Sequence, residues 1–253
     1  MSLATAWYLG IGQAEVADRA ILVGDPGRVD LFAERLTDAS TAGGDRALRT
    51  LTGMFGDRRV TVCSFGMGAP VAVVVLEELA SLGVRLVLRA GTVMSLGDVP
   101  LGTLVLADSA LRGEATSATY LPPDGPAHAD PALTETAAQV LTETGVPYRR
   151  GLVASYDGFY TQLFAIHDDR RERVEALLDD LRGQGVIAAD METSALLAVA
   201  PMLGVRAASV CLASVDGSLR RRLDPDRRTD DERRLVDVAL EAIRRFDLRA
   251  NAR

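Results

Sequence analysis

Lysine is absent from this chain. All 28 of its basic residues are arginine, and a guanidinium stays charged and grips oxyanions through a planar fork. Schiff-base chemistry and the lysine of a P-loop are thereby excluded. Histidine and cysteine are nearly as scarce, with only His128, His167, Cys63 and Cys211. None of them stands at metal-ligand spacing, so no metal site is expected. Both cysteines lie in apolar runs, TVCSFG and ASVCLAS, and read as small buried structural thiols. No apolar stretch is long and uninterrupted enough to cross a bilayer, and the N-terminus lacks the charged and apolar tract of a signal peptide, so a cytoplasmic location is expected. A surplus of positive charge is missing too. The 35 acidic against 28 basic residues leave a net charge of −7, which argues against nucleic acid or an anionic membrane as the main partner.

What is present suits a folded enzyme. A chain of 253 residues with 48% hydrophobic content buries a full core, and one domain is expected. Short runs rich in Val, Ile and Leu at 20–23, 60–64, 86–89, 103–107, 185–188 and 207–213 read as buried strands. Helical patterns separate them at 70–82, 131–144, 170–181, 192–203 and 229–246, the last opening on a Thr229/Glu232 capping box. This alternation predicts an α/β layer fold. Glycines gather where strands should end: Gly24 and Gly27, Gly66 and Gly68, Gly91, and Gly217. Because ligands of open α/β sheets bind beyond the carboxyl ends of strands, these four loops are the candidate walls of a site.

Several residues in or near those loops carry chemistry. In LVGDPGRVD, backbone N–H groups and Arg28 can converge on an oxyanion, although such turns also serve geometry alone. Arg89 closes the run RLVLRAGT, where an unpaired charge costs several kcal/mol of desolvation. Either an internal carboxylate or a bound phosphate would satisfy it, Thr92 adding a hydroxyl in the second case, and two arginines at two strand ends favour a dianion. Asp190 and Glu192 open a helix in ADMETSAL, where Asp190 can cap and Glu192 can accept two hydrogen bonds from a vicinal diol. Asp216, before Gly217, either starts a turn or offers a proton to a leaving group. Phe159 and Tyr160 either stack on a base or belong to the core.

Taken in order, VGDPGRVD, the arginine of GDRALR, SFGMGAP, EELASLGVRLVLRAGT, SYDGFY, ADMETSAL and SVDGS resemble the nucleoside phosphorylase-I family over nearly the whole chain. The likeness is strongest to its uridine phosphorylase branch, which also holds hexameric purine nucleoside phosphorylases. The resemblance implies a single-domain three-layer α/β/α fold with a mixed central sheet. It also implies a homo-oligomer, with a dimer as the minimal active unit and a hexamer as the assembly. Gly24, Arg28, Arg89 and Thr92 would bind phosphate, with Arg46 reaching in from the neighbouring subunit. Tyr8, Met191 and Glu192 would meet the ribose, and Phe159, Val93, Asp190 and Asp216 would line the base. Phosphate would attack C1′ through an oxocarbenium-like state, Arg89 and Asp216 assisting, to give a free base and an α-pentose 1-phosphate. Inorganic phosphate is the co-substrate, and no cofactor is expected.

Departures from the family pattern bear on the base. Tyr8 replaces a histidine of the uridine enzymes, and TQLFAIHDD lacks the spaced Gln and Arg with which they grip uracil. Asp216 replaces their asparagine and matches certain hexameric purine enzymes, so a purine nucleoside is the expected substrate and uridine the alternative. Val93 and Met94 stand where the family carries smaller residues and can reshape the base pocket. Ala47 replaces a glutamate that serves a monovalent cation, so that ion is not expected. Two further readings stay open: a nucleosidase that uses water, and a non-catalytic nucleoside-binding protein.

Overall fold

The computed structural model describes residues 5–43, 48–122, 124–217 and 220–250. One mixed sheet runs through it, built from β1 (Arg19–Val23), β2 (Thr37–Gly43), β3 (Arg49–Phe55), β4 (Arg58–Ser64), β5 (Leu86–Ser95), β6 (Leu104–Gly113), β7 (Ala127–His128), β8 (Tyr148–Tyr156), β9 (Val186–Asp190), β10 (Arg206–Asp216) and β11 (Arg221–Arg222). Its strand order is β11-β10-β6-β8-β9-β5-β1-β4-β3-β2, with β7 beside β6. Parallel β5 pairs with both β1 and β10. Because β10 also pairs with β6, the strands β5, β9, β8, β6 and β10 close on one another, and β1, β4, β3 and β2 extend from that ring as an open wing. The mixed central sheet expected from the sequence is present, curled at one end into a small barrel.

The helices are α1 (Arg28–Ala33), α2 (Ala69–Ser81), α3 (Pro131–Thr144), α4 (Arg171–Gly183), α5 (Thr193–Val199) and α6 (Pro225–Arg245). Helix α6 packs on α3, β10, β5 and β1, whereas α2 packs on α5. Helix α4 lies against β9 and a single π turn, Phe159–Leu163. A large apolar cluster fills the space around β1, β4, β5, β6 and β10. A second, smaller one gathers Met94, Leu96, Leu163, Val174 and Leu178 beneath α4.

Several boundaries differ from those the sequence predicts. Strand β5 does not stop at Arg89 but runs six residues further, to Ser95. Gly91 therefore sits inside a strand rather than in a loop, and the site has three glycine-bearing loops, not four. The strand persists because β10 pairs with it through the glycine, Cys211 opposite Gly91. Helix α6 begins at Pro225, not at Thr229: the Asp224 side chain accepts the Asp226 and Arg227 N–H groups, and proline occupies the first turn, where no N–H is required. The Thr229/Glu232 pattern is no capping box, since Glu232 turns instead to Arg28. Finally, β2, β3 and β8 carry no unbroken apolar run and were absent from the sequence reading.

Candidate active site

The loops after β1 and β4 meet closely. A side chain at Gly24 would place its Cβ 2.9 Å from the Gly66 carbonyl oxygen, nearer than real Cβ atoms approach. In the second loop Gly66 and Gly68 take φ values of +85° and +104°, a region that favours glycine. That conformation aims the Gly68 N–H at Glu192 Oε1, 2.7 Å away. Strand β1, strand β4 and the start of α5 are thus drawn together at one place.

Arg89 lies at the centre of this place and is 3% exposed. Its guanidinium folds back across Gly91, where a methyl group would overlap Nη1 and stand 2.6 Å from Cζ. Nη2 pairs with Glu192 at 2.5 Å and with Asp190 at 3.0 Å, while Nη1 donates to Cys211 Sγ at 2.9 Å. Burial opposes charge on Arg89, but Cys211, Asp190 and Glu192 outweigh it and hold its pKa above the ordinary value. Glu192 moves upward as well, through burial first and Asp190 next, against the pull of Arg89. The Cys211 thiol is likewise raised by burial, and Cys63 is pushed up to about 12 by the same cause.

Arg28 is also 3% exposed. It donates to the Ala90 carbonyl at 3.4 Å and to Glu232 Oε1 at 3.1 Å. Ala90 directly follows Arg89, so Arg28, from α1, reaches the backbone of the β5 residue next to Arg89. Each arginine keeps its Nε buried and without a hydrogen-bond partner. Buried donors are satisfied in nearly every native structure, so these two nitrogens, like the Ser95 Oγ and Asp231 Oδ2 atoms that share this state, call for an explanation.

The remaining expected residues divide. Thr92 is half-buried on β5, Met191 half-buried before α5, and Asp216 half-buried at the end of β10. Asp216 stands in register with Ser95, and the Gly217 N–H donates to the Ser95 carbonyl at 3.1 Å. The Phe159 ring stacks on Phe164 at 6.0 Å and meets Tyr160 edge-on at 5.2 Å, beside the cluster that contains Met94.

Two base-lining assignments are corrected. Val93 packs inside the main apolar cluster. Asp190 is committed elsewhere: it accepts from Ser155 Oγ and Thr193 Oγ1 at 2.5 Å each, from the Glu192 and Thr193 N–H groups at 3.2 Å, and pairs with Arg89. Its role is capping α5 and neutralising Arg89. The reading of Arg89 as a strand-end charge is corrected as well, for it is a mid-strand residue already matched by internal carboxylates. Arg46 and Ala47 lie outside the described residues.

Tyr8 is exposed on the surface, next to Trp7, which is 82% exposed. Buried Glu78 fixes this turn by accepting the Tyr8 and Leu9 N–H groups at 2.9 Å each. Tyr8, Leu48, Phe65, Pro70, Val71 and Val74 line a hollow of about 400 Å³, and the Arg89 Cζ lies 6.0 Å from the Phe65 ring. An apolar surface hollow is therefore one side chain removed from Arg89. Sequence reasoning missed Glu232, Cys211, Ser155 and Phe65. Only Cys211 had a usable signal, its place opposite a glycine, and that requires the strand register. Among the described residues no group of three or more His, Cys, Asp or Glu is placed to hold a metal ion, and no helix is long and apolar enough to cross a membrane.

Comparison with known proteins fits this geometry. The phosphorylase superfamily matches residues 18–246. A guanosine phosphorylase from Halorubrum lacusprofundi is 30% identical over 93% of this chain and 97% of its own length. A DeoD-type purine nucleoside phosphorylase from Anoxybacillus flavithermus is 29% identical over 92% and 97%, respectively. The crystal structure of uridine phosphorylase from Vibrio fischeri ES114, complexed with 6-hydroxy-1-naphthoic acid, superposes with a TM-score of 0.85 at 28% identity, covering 96% of this chain and 97% of that one. With a match that spans the sheet, both buried arginines and the start of α5, the chain belongs to the phosphorylase superfamily and is an enzyme of the nucleoside phosphorylase kind.

Proposed function

We propose that the protein cleaves the N-glycosidic bond of purine nucleosides with inorganic phosphate, releasing a free base and a pentose 1-phosphate. The observation that carries this reading is the pair of buried arginines, Arg89 on β5 and Arg28 bonded to the carbonyl of the next residue, Ala90, each with an Nε that has no protein partner. Two guanidinium forks suit a dianion better than they suit water. Thr92 on the same strand and the Gly24 loop complete the phosphate side. Glu192 suits the sugar: each of its oxygens accepts one hydrogen bond here, from Gly68 or Arg89, and keeps a lone pair for a vicinal diol. Breaking the bond builds positive charge at C1′, which an anionic phosphate stabilises, and negative charge on the base, which Asp216 relieves by sharing a proton with a purine N7.

Asp216 and the relatives named for guanosine and purine nucleosides favour a purine base, whereas the relatives named for uridine favour the pyrimidine. Base release from inosine, guanosine, adenosine, uridine and thymidine, each with and without phosphate, separates the readings. Phosphate-dependent release from the purines is expected. Uridine alone would move the chain to the pyrimidine side, release without phosphate would make it a nucleosidase, and silence throughout would leave a binding protein.

The same proposal includes a homodimer. Trp7 and Met67 are 82% and 84% exposed, and with Tyr8 they belong to the loops that border the apolar hollow; exposed apolar patches of this kind mark contact surfaces. Light scattering at micromolar concentration is expected to give at least twice the 26.9 kDa chain mass, and Trp7→Ser is expected to shift it toward the monomer. A wild-type monomer would remove this part of the proposal.

A further inference from the structure

Glu232 is not among the residues singled out for substrate, nor does it cap α6. Its Oε1 accepts from Arg28 Nη2 at 3.1 Å and, on its outer side, from Arg228 Nε at 3.0 Å. Glu232 is only 14% exposed, whereas Arg228 is 47% exposed. It is the only carboxylate paired with Arg28 among the described residues. We infer that Glu232 is a positioning residue for phosphate: reaching across 204 residues of sequence, it fixes the guanidinium of Arg28 so that the unfilled Nε side faces the incoming anion. This inference rests on the reading of Arg28 as a phosphate ligand.

The assignment follows from how a guanidinium is shared. Its donors are arranged in a rigid fork. Glu232 takes Nη2 and the Ala90 carbonyl takes Nη1, the latter at a long 3.4 Å. Two of the three nitrogens are thereby tethered, and Nε remains buried with nothing bound. A long side chain tethered only by the weak Ala90 contact would sample several rotamers, and phosphate would have to bear the cost of ordering it. With Glu232 in place that ordering is already complete. Arg228, binding the same oxygen from outside, offsets the negative charge that Glu232 would otherwise direct at an anion. The arrangement also joins the two ends of the reaction, because α6 follows Asp216 after only the short segment that includes β11.

A second ion pair supplies the control. Arg35, just beyond α1, pairs with Asp237 of α6 at 2.7 Å on the exposed side, so it ties the same two helices without touching Arg28. Four variants are compared for KM of phosphate, KM of nucleoside, kcat and Tm: E232A, E232Q, D237A and R28A. E232A is expected to raise KM for phosphate roughly 10-fold or more, as a displaced binding group does, with KM for nucleoside and kcat at saturating phosphate within about 2-fold. E232Q keeps an acceptor but loses its charge, so an intermediate rise of about 3-fold is expected; if E232A does not fold, this variant carries the test. D237A is expected to leave all three constants unchanged.

Unchanged KM for phosphate in the Glu232 variants, with a clear rise in R28A, would overturn the positioning role alone. No change in R28A would overturn the reading of Arg28 itself. A lower KM for phosphate in E232A would show that the carboxylate repels the anion, and an equal rise in D237A would reduce the effect to general loosening of α1 against α6; either result overturns the inference.

Discussion

Gly91→Ala is expected to cost about 3 kcal/mol of stability and to lower turnover at limiting phosphate by roughly 10²-fold, although the change adds a single methyl group. In an ordinary strand the same substitution is favourable by about 0.5–1 kcal/mol, since glycine loses the most freedom on folding. Here the methyl would occupy the space through which the Arg89 guanidinium passes, 2.6 Å from its Cζ. No small shift resolves this overlap: β10 pairs with β5 through Gly91, β1 holds β5 up to Arg89, and Arg89 is fastened to Glu192, Asp190 and Cys211. The guanidinium must therefore leave, and two buried carboxylates lose their cation. Uncompensated buried charge of that kind costs about 3–5 kcal/mol, which exceeds the backbone gain. Thermal unfolding of G91A in the wild-type and Arg89→Met backgrounds gives the decisive comparison. With the guanidinium gone the methyl has room, so the cost of G91A should largely disappear in the second background. An equal cost in both would mean that Gly91 is required by the strand and not by Arg89.

The Arg89 cluster also explains how much of the site was legible in the sequence. That Arg89 needs a partner follows from one charge closing an apolar run, and the structure supplies that partner internally in Asp190 and Glu192 while leaving Nε open. Of the two alternatives for this residue, the internal carboxylate is the one observed, and phosphate at Nε belongs to the proposed function. What could not be read was the position of Arg89 in its strand. Gly91 has the sign of a strand end in one dimension, and only the pairing of β5 with β10 shows that the strand continues. Glu232 was misassigned for a similar reason. Thr229 followed by Glu232 satisfies the capping pattern locally, but Asp224 and Pro225 start the helix a turn earlier, and the glutamate is then free to serve a partner 204 residues away.

The fold shows the same division between local and distant causes. Strands β1, β4, β9 and β10 were visible because both of their faces are buried and their apolar runs are unbroken. Helix α3 was located to the residue, since Asp130 caps its start by accepting the Leu133 N–H and Gly145 closes it in a left-handed conformation. Strand β2 is almost wholly exposed, and its polar TDASTAG has no pattern to detect; it is a strand because β3 offers it a ladder of hydrogen bonds. Strand β8 hides behind its two arginines, of which Arg150 pairs with Asp108 and Glu135 at the surface.

Asp216→Asn is expected to reduce kcat for purine nucleosides roughly 10²-fold while changing their KM little, because the substitution removes a proton carrier and leaves the shape intact. The amide fills the same volume and can still donate or accept a hydrogen bond, but it cannot release a proton to N7 or take one back. Asp216 is half-buried at the end of β10, and the backbone bond from Gly217 to Ser95 ties the turn that follows it. The contrast between bases makes the test specific. Uracil has no N7, so any turnover of uridine should be affected far less, and the purine-to-uridine ratio of kcat/KM should fall by nearly the full factor lost in kcat. Unchanged purine turnover would remove Asp216 as the proton donor. Equal losses for purine and uridine would instead assign Asp216 to shaping the pocket, and the choice of base would then rest on Phe159 and Met94.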